Sequence, residues 1–247
     1  MATSVAVVGA TGKMGTLSTR LLDASDDFEV SARLGSGDAI DGIDGADIVL
    51  DFTVPSASPA IVDAAIDRGI PVLVGTSGWT ADRIAAVATR LGETPEFAVL
   101  FMPNFSLGSV LATRFATMAA PYFESIEIVE AHHAGKVDSP SGTAIRTAEL
   151  IGGARAGVGP VSAPHADQRA RGQQVASVPI HSLRLSGIMA QQDVLFGGDG
   201  ETLTIRHVTF SDSSYEAGIL LALRATREMR GVVVGLDAVL EWEGSRA

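Results

Sequence analysis

The first hundred residues alternate short apolar runs with helical stretches, and few folds tolerate that pattern. Val5-Ala6-Val7-Val8 is continuously apolar, as a parallel strand buried on both faces requires. It runs into Gly9-Ala10-Thr11-Gly12-Lys13-Met14-Gly15 and then into a helical stretch carrying Leu17, Leu21 and Leu22. Strand, glycine-rich turn and helix together form the context of a dinucleotide fingerprint, although a G-x-x-G-x-x-G spacing is one residue longer at its first gap than the common form. The alternation continues. Phe28–Leu34, Asp47–Thr53, Pro71–Val74 and Phe97–Phe101 read as strands, and Ala57–Asp67 and Thr80–Leu91 read as helices, the latter ended by Gly92. Repeats of this length predict an α/β fold, a Rossmann-like doubly wound parallel sheet. Ligands on such sheets sit off the carboxyl ends of strands. Gly9–Gly15, Thr53, Gly75-Thr76-Ser77 and Met102-Pro103-Asn104-Phe105 all fall at those ends.

The second half changes character. Ser106–Tyr122 reads as a helix leading into it, and Gly152–Ser177 as one long loop rich in Gly, Ala, Pro, Gln and Arg. Val178–Leu185, Gln192–Phe196 and Glu201–Phe210 then follow as strands with no helix between them, the last two joined by the hairpin signal Gly197-Gly198-Asp199-Gly200. Such a run implies a smaller α+β domain with a mixed sheet. Tyr215–Arg230 reads as the final helix, closed by Gly231 and able to return to the first domain.

Between the halves lies the most chemically loaded stretch, Glu130-Ala131-His132-His133-Ala134-Gly135-Lys136-Val137-Asp138-Ser139-Pro140-Ser141-Gly142-Thr143-Ala144. Its left flank alternates, with Ile126, Ile128 and Glu130 on one face and Glu127, Val129 and Ala131 on the other. A strand running to its end would aim His132 and His133 at opposite faces. Gly135 allows a turn that swings Lys136 back toward the histidines. Ser139-Pro140-Ser141-Gly142 opens a helix, with serine as cap and proline in the first turn. The N–H groups of Gly142 and Thr143 then form an anion site. Lysine, imidazoles and a helix start converging from one segment fit a carboxylate-bearing substrate with proton transfer nearby. Composition sharpens the point: of 18 basic residues only Lys13 and Lys136 are lysines, and both lie in motif-like stretches. A lysine can lose its proton and fit a small pocket where arginine cannot.

The remaining histidines read as structural: His165 in a loop, His181 and His207 on sheet faces. His132 and His133 have no third ligand at a metal-binding spacing, so no metal is expected. A net charge of −11 argues against nucleic acid, and the absence of cysteine excludes disulfides, thiolate sites and cysteine nucleophiles. With neither a signal-peptide pattern nor an apolar run of membrane-spanning length, a cytoplasmic protein is expected and no membrane partner. Apolar residues make up 46% of the chain, ample for two cores.

The Glu130–Ala144 stretch closely resembles the signature E-x-H-H-x-x-K-x-D-x-P-S-G-T-A of the dihydrodipicolinate reductases. The N-terminal glycine turn, Asp51-Phe52-Thr53, Gly75-Thr76-Ser77-Gly78, Pro103-Asn104-Phe105 and Phe196-Gly197…Gly200-Glu201-Thr202-Leu203 resemble the same family in order, so the likeness covers nearly the whole chain. It implies a reductase of lysine and diaminopimelate synthesis, in which NADH or NADPH reduces a cyclic dicarboxylate. It implies a dinucleotide-binding domain over 1–106, completed by 216–247, and a substrate-binding domain over 107–215 that builds a homotetramer. On matching positions it makes His132 and Lys136 catalytic, and His133, Lys136, Gly142 and Thr143 substrate-binding. Gly9, Ala10, Thr11, Gly12, Lys13, Met14, Gly75, Thr76, Ser77, Met102, Pro103, Asn104 and Phe105 would line the cofactor. Ser77 replaces a common threonine. Gly35 stands where an acidic residue usually follows strand two, which leads us to expect dual cofactor use with NADPH equal or moderately favoured; Asp38 could supply the acid if its loop folds back.

Overall fold

The structure, a computed structural model, describes residues 2–244. The few residues of the expected first domain outside that range, 1 and 245–247, lie beyond the described residues. The chain forms two compact units: one contains the residues up to Leu107 together with those from Tyr215 on, and the other is Gly108–Ser214.

In chain order the elements begin β1 (Thr3–Val8), α1 (Lys13–Asp23), β2 (Phe28–Leu34), β3 (Ile48–Asp51), α2 (Ser58–Asp67), β4 (Val72–Val74), α3 (Ala81–Leu91) and β5 (Ala98–Phe101). The middle supplies α4 (Leu107–Ala119), β6 (Ser125–His132), α5 (Gly142–Ala154), β7 (Gln173–Val175), β8 (Val178–Arg184), β9 (Ala190–Gly198) and β10 (Glu201–Thr209). The chain then returns through α6 (Glu216–Glu228), β11 (Gly231–Val234) and α7 (Leu236–Gly244).

The first unit is a parallel sheet ordered β11-β5-β4-β3-β1-β2. Both faces are covered, which is why its strands read as unbroken apolar runs rather than alternating ones. Ala6, Val8, Val49, Val72, Val74, Val99 and Phe101 pack with Val62 and Ala65 of α2 and Val87 of α3. The alternate positions Val5, Val7, Leu50, Leu73 and Leu100 are also fully buried, and α1 and α6 pack on the strands. Each such side chain contributes roughly 1.5–3 kcal/mol over its exposed state. The Tyr215–Arg230 expectation stopped too early. The helix ends at Glu228, and Gly231–Val234 adds a sixth strand, paired parallel with Ala98–Phe101, before a further helix. Three adjacent valines mark that strand, but nothing in four residues says which sheet edge they join.

The second unit is a mixed sheet ordered β10-β9-β6-β8-β7. One face carries Ile126, Ile128, Ile180, Val194 and Phe196, packed under Ala144, Ala148 and Ile151 of α5 and Ala116 of α4. The Gly152–Ser177 loop is a correction. Helix α5 runs on to Ala154, and Gln173–Val175 pairs antiparallel with Val178–Ile180. Arg155 closes the helix end, its guanidinium donating to the carbonyls of Ala120, Phe123, Gly159 and Pro160. The hairpin turns on Ala176 and Ser177, both at positive φ (48° and 70°) without glycine or asparagine, so no turn signal announced it.

Candidate active site

The candidate residues form two groups, one in each unit. In the first unit they gather at the carboxyl ends of β1, β3, β4 and β5, where the strand order reverses about β1. Gly9 holds φ +83°, and a Cβ there would lie 2.4 Å from the Phe52 carbonyl oxygen. A Cβ at Gly15 would lie 2.1 Å from the Gly9 carbonyl oxygen. Packing therefore requires both glycines: the first lets the chain turn against β3, the other lets α1 sit against the turn. Gly12 is different. It is exposed, and as N-cap of α1 it brings no side-chain cap to the helix start. That uncapped start suits an anion. Thr11 and Lys13 are exposed beside it and Met14 is half-buried.

Asp51 holds the neighbouring loops. Its carboxylate is fully buried and accepts the Thr53 N–H at 2.8 Å, the Thr53 hydroxyl at 2.6 Å and the Thr76 hydroxyl at 3.0 Å. It also accepts the hydroxyl of Ser58, which receives the Trp79 indole N–H at 2.9 Å. Thr53, expected to end the strand, lies past it because Asp51 takes its N–H. Thr76, Met102 and Phe105 are buried, so these three predicted cofactor residues brace the loops with their side chains. Phe105 meets Phe52 edge-on, ring centroids 5.5 Å apart. Gly75 is half-buried between those two rings, Ser77 and Pro103 are exposed, and Asn104 accepts the Ser106 N–H at 2.9 Å.

A cleft of about 530 Å3 opens beside the glycine turn, lined among others by Ala10, Thr11, Arg20, Arg33, Gly35 and Asp38. The loop after β2 does fold back: Asp38 accepts the Gly35 N–H at 2.7 Å. Arg33 lines the cleft but is held by both oxygens of Asp23, at 2.6 and 2.9 Å.

In the second unit β6 ends at His132, so His133 opens the turn and is exposed instead of facing the opposite side of a strand. His132 shares the α5-covered face with Glu130, as alternation demands, and its Nδ1 lies 2.6 Å from Glu130 Oε2. Glu130 is fully buried. Arg184 reaches it from β8 with both Nη groups, at 2.9 and 3.0 Å, and Ser141 donates its N–H at 3.2 Å. Burial pushes the Glu130 carboxyl up, but hydrogen bonds from Arg184, Ser182 and His132 outweigh it and hold it below the usual range. His132 is lowered, first by burial, then by Lys136 and Arg184, with Glu130 opposing.

Lys136 pairs with Asp138, Nζ to Oδ1 2.8 Å, holding the Asp138 carboxyl low, and is near enough to His132 to lower it as well. The helix start also departs from expectation. Pro140 precedes the cap, after a cis Ser139–Pro140 bond, and Ser141 is the N-cap. Ser141 Oγ accepts the Ala144 N–H at 3.2 Å, so the cap does not use the N–H groups of Gly142 and Thr143. Among the other histidines, His165 is exposed and His181 pairs with Glu127, 2.7 Å from its Oε2.

The sequence carried a signal for two residues it left without a role. Asp51 and Glu130 each sit in an apolar strand, where a buried carboxylate must find partners. Arg184 carried none, because it meets Glu130 only through the β6–β8 pairing that sets His132 opposite Arg184.

Comparison with known proteins agrees along the whole chain. Residues 3–105 match the family model for dihydrodipicolinate reductase, N-terminus, and residues 108–240 match that for its C-terminus. The chain is 59% identical over 246 residues to a 4-hydroxy-tetrahydrodipicolinate reductase of Clavibacter sepedonicus, covering 100% of this chain and 89% of that one. It is 46% identical to that of Streptomyces griseus subsp. griseus, covering 96% and 97%. A dipicolinate-bound dihydrodipicolinate reductase from Paenisporosarcina sp. TG-14 superposes with TM-score 0.83 at 30% identity, covering 96% and 98%. With both family models matched, and the signature residues folded into one connected cluster, the chain belongs to the dihydrodipicolinate reductase family.

Proposed function

We propose that this protein reduces 4-hydroxy-tetrahydrodipicolinate to tetrahydrodipicolinate with a nicotinamide cofactor, in lysine and diaminopimelate synthesis. The observation that carries the reading is the second-unit cluster: an imidazole held by a buried carboxylate, a lysine, and an α5 start whose cap spares two N–H groups. It pairs anion binding with proton transfer in one turn. The relative from Paenisporosarcina, which binds dipicolinate, supports a cyclic dicarboxylate as ligand of this unit.

The first unit is the dinucleotide-binding domain in this reading. A cradle at Gly12 with an uncapped helix start fits a pyrophosphate, with Gly9–Met14, Gly75–Ser77 and Met102–Phe105 around it. The cofactor supplies hydride. Gly142 and Thr143 hold one substrate carboxylate by backbone N–H, and Lys136 and His133 bring positive charge and hydrogen bonds to the dicarboxylate. His132 and Lys136 exchange the proton that follows hydride addition. Both cofactors are used, with NADPH equal to NADH or moderately favoured. Asp38 puts a carboxylate in the cleft, but one oxygen is committed to Gly35 N–H. A homotetramer through the open sheet face is supported by Leu183 and Leu195, 45% and 39% exposed opposite the helix-covered side. No helix among the described residues is long and apolar enough to cross a membrane, in keeping with a cytoplasmic enzyme.

The test is loss of reduced-nicotinamide absorbance with substrate generated in place by its synthase. Cofactor-dependent turnover supports the reading. No turnover with either cofactor, in protein that binds them, sinks it.

A further inference from the structure

Arg184 lies outside the signature stretch, yet it touches two parts of it. Its two Nη groups bridge the Glu130 carboxylate, and one of them donates to the Asp138 carbonyl at 2.6 Å. Glu130 in turn receives His132 Nδ1 and the Ser141 N–H. Strand end, catalytic turn and helix start are thus tied to one buried carboxylate. The tie is not built for stability. Burying a charge is costly, and here Glu130 is fully buried while Arg184, its side chain 20% exposed, leaves a buried Nε without a hydrogen-bond partner, a further cost.

A carboxylate bridged by a guanidinium is ionised and can only accept hydrogen bonds. His132 Nδ1, 2.6 Å away, must therefore be the donor. We infer that Glu130 and Arg184 form a positioning pair that keeps a proton on His132 Nδ1 and holds the α5 start, leaving Nε2 as the ring atom that exchanges a proton with substrate. The inference rests on the reductase reading for the word substrate, but not for the tautomer. It is the logic by which a buried carboxylate orients a catalytic imidazole elsewhere. The charged groups acting on His132 come from three places: Glu130 on its own strand, Arg184 on β8, and Lys136, itself paired with Asp138, in the turn.

Glu130 and Arg184 push the imidazole in opposite directions. A touching carboxylate favours the charged ring and a guanidinium disfavours it. The experiment follows ring nitrogens of 15N-histidine-labelled full-length protein through a pH titration, with His132 assigned by its loss in His132→Asn. In the wild type, neutral His132 should carry its proton on Nδ1. Glu130→Gln should move His132 titration to lower pH and abolish the tautomer preference. Arg184→Met keeps Glu130, and with it the tautomer, and should move titration to higher pH. The acidic limb of kcat/KM against pH should move with each. A merely structural role would not give opposite displacements. Neutral His132 protonated on Nε2, or both variants moving the titration the same way, overturns the pair. A wild type that shows the tautomer and both shifts but turns over no substrate would instead sink the reductase reading and leave the pair standing.

Discussion

Asp51 and Glu130 are both fully buried carboxylates near the carboxyl ends of strands, one in each unit, and they are satisfied in opposite ways. Around Asp51 every donor named above is neutral: a backbone N–H and the hydroxyls of Thr53, Ser58 and Thr76. Around Glu130 stand a guanidinium, an imidazole, the Ser182 hydroxyl and one backbone N–H. Neutral donors fix loops without tying them to any proton. Ionisable partners make the carboxylate part of a circuit whose geometry depends on charge. In the proposed reading the first unit holds a ligand and the second moves a proton, and that contrast can be broken at four points.

The largest expected effect is on chemistry in the second unit. Lys136→Ala should lower kcat by roughly 10²–10⁴-fold, as for a lost acid–base group. Lys136 is half-buried in a turn, outside either hydrophobic core, and pairs with the exposed Asp138, so Tm should hardly change and cofactor affinity should persist. Steady-state kinetics with a melting curve checks this; near wild-type turnover would remove Lys136 from the reaction.

Next comes the neutral knot. Asp51→Ala strands three hydroxyls and one N–H in the interior, for a loss of about 3 kcal/mol in stability. Asp51→Asn keeps the volume and one acceptor and should lose less. Cofactor affinity, measured by calorimetry, should fall in both, because the loops bearing Thr53 and Thr76 lose their anchor. Unchanged affinity in a folded Asp51→Asn would show that the knot serves the core alone.

A third substitution separates the ligands. A Cβ at Gly142 meets nothing within 4 Å, so Gly142→Val leaves the fold intact. It should raise KM for substrate about tenfold and leave cofactor binding alone. An equal loss of cofactor affinity would mean the two sites are not divided between the units.

The smallest effect concerns the charge in the first-unit cleft. Asp38→Asn should shift the kcat/KM ratio toward NADPH by only a few-fold, since Asp38 already spends an oxygen on Gly35. A wild-type preference for NADH of a hundredfold, roughly 2.7 kcal/mol, would show that this carboxylate governs the ribose end.

Much of this was legible in one dimension. Apolar runs bounded by glycine turns determined the parallel sheet, because a strand buried on both faces has no room for polar alternation. Glu130–Ala144 pointed to the proposed chemistry, because its spacing puts a capped helix start nine residues beyond a strand-end histidine. What pairing over long separations decides was not legible: Gly231–Val234 joins Ala98–Phe101, and Arg184 meets Glu130 across 54 residues. Nor was the local Gln173–Val175 hairpin, whose turn on Ala176 and Ser177 carries no glycine or asparagine. Local sequence sets φ, ψ and which face is apolar. Which strand lies beside which, and so which cation neutralises a buried carboxylate, follows only when the sheet closes and burial leaves that charge no other partner.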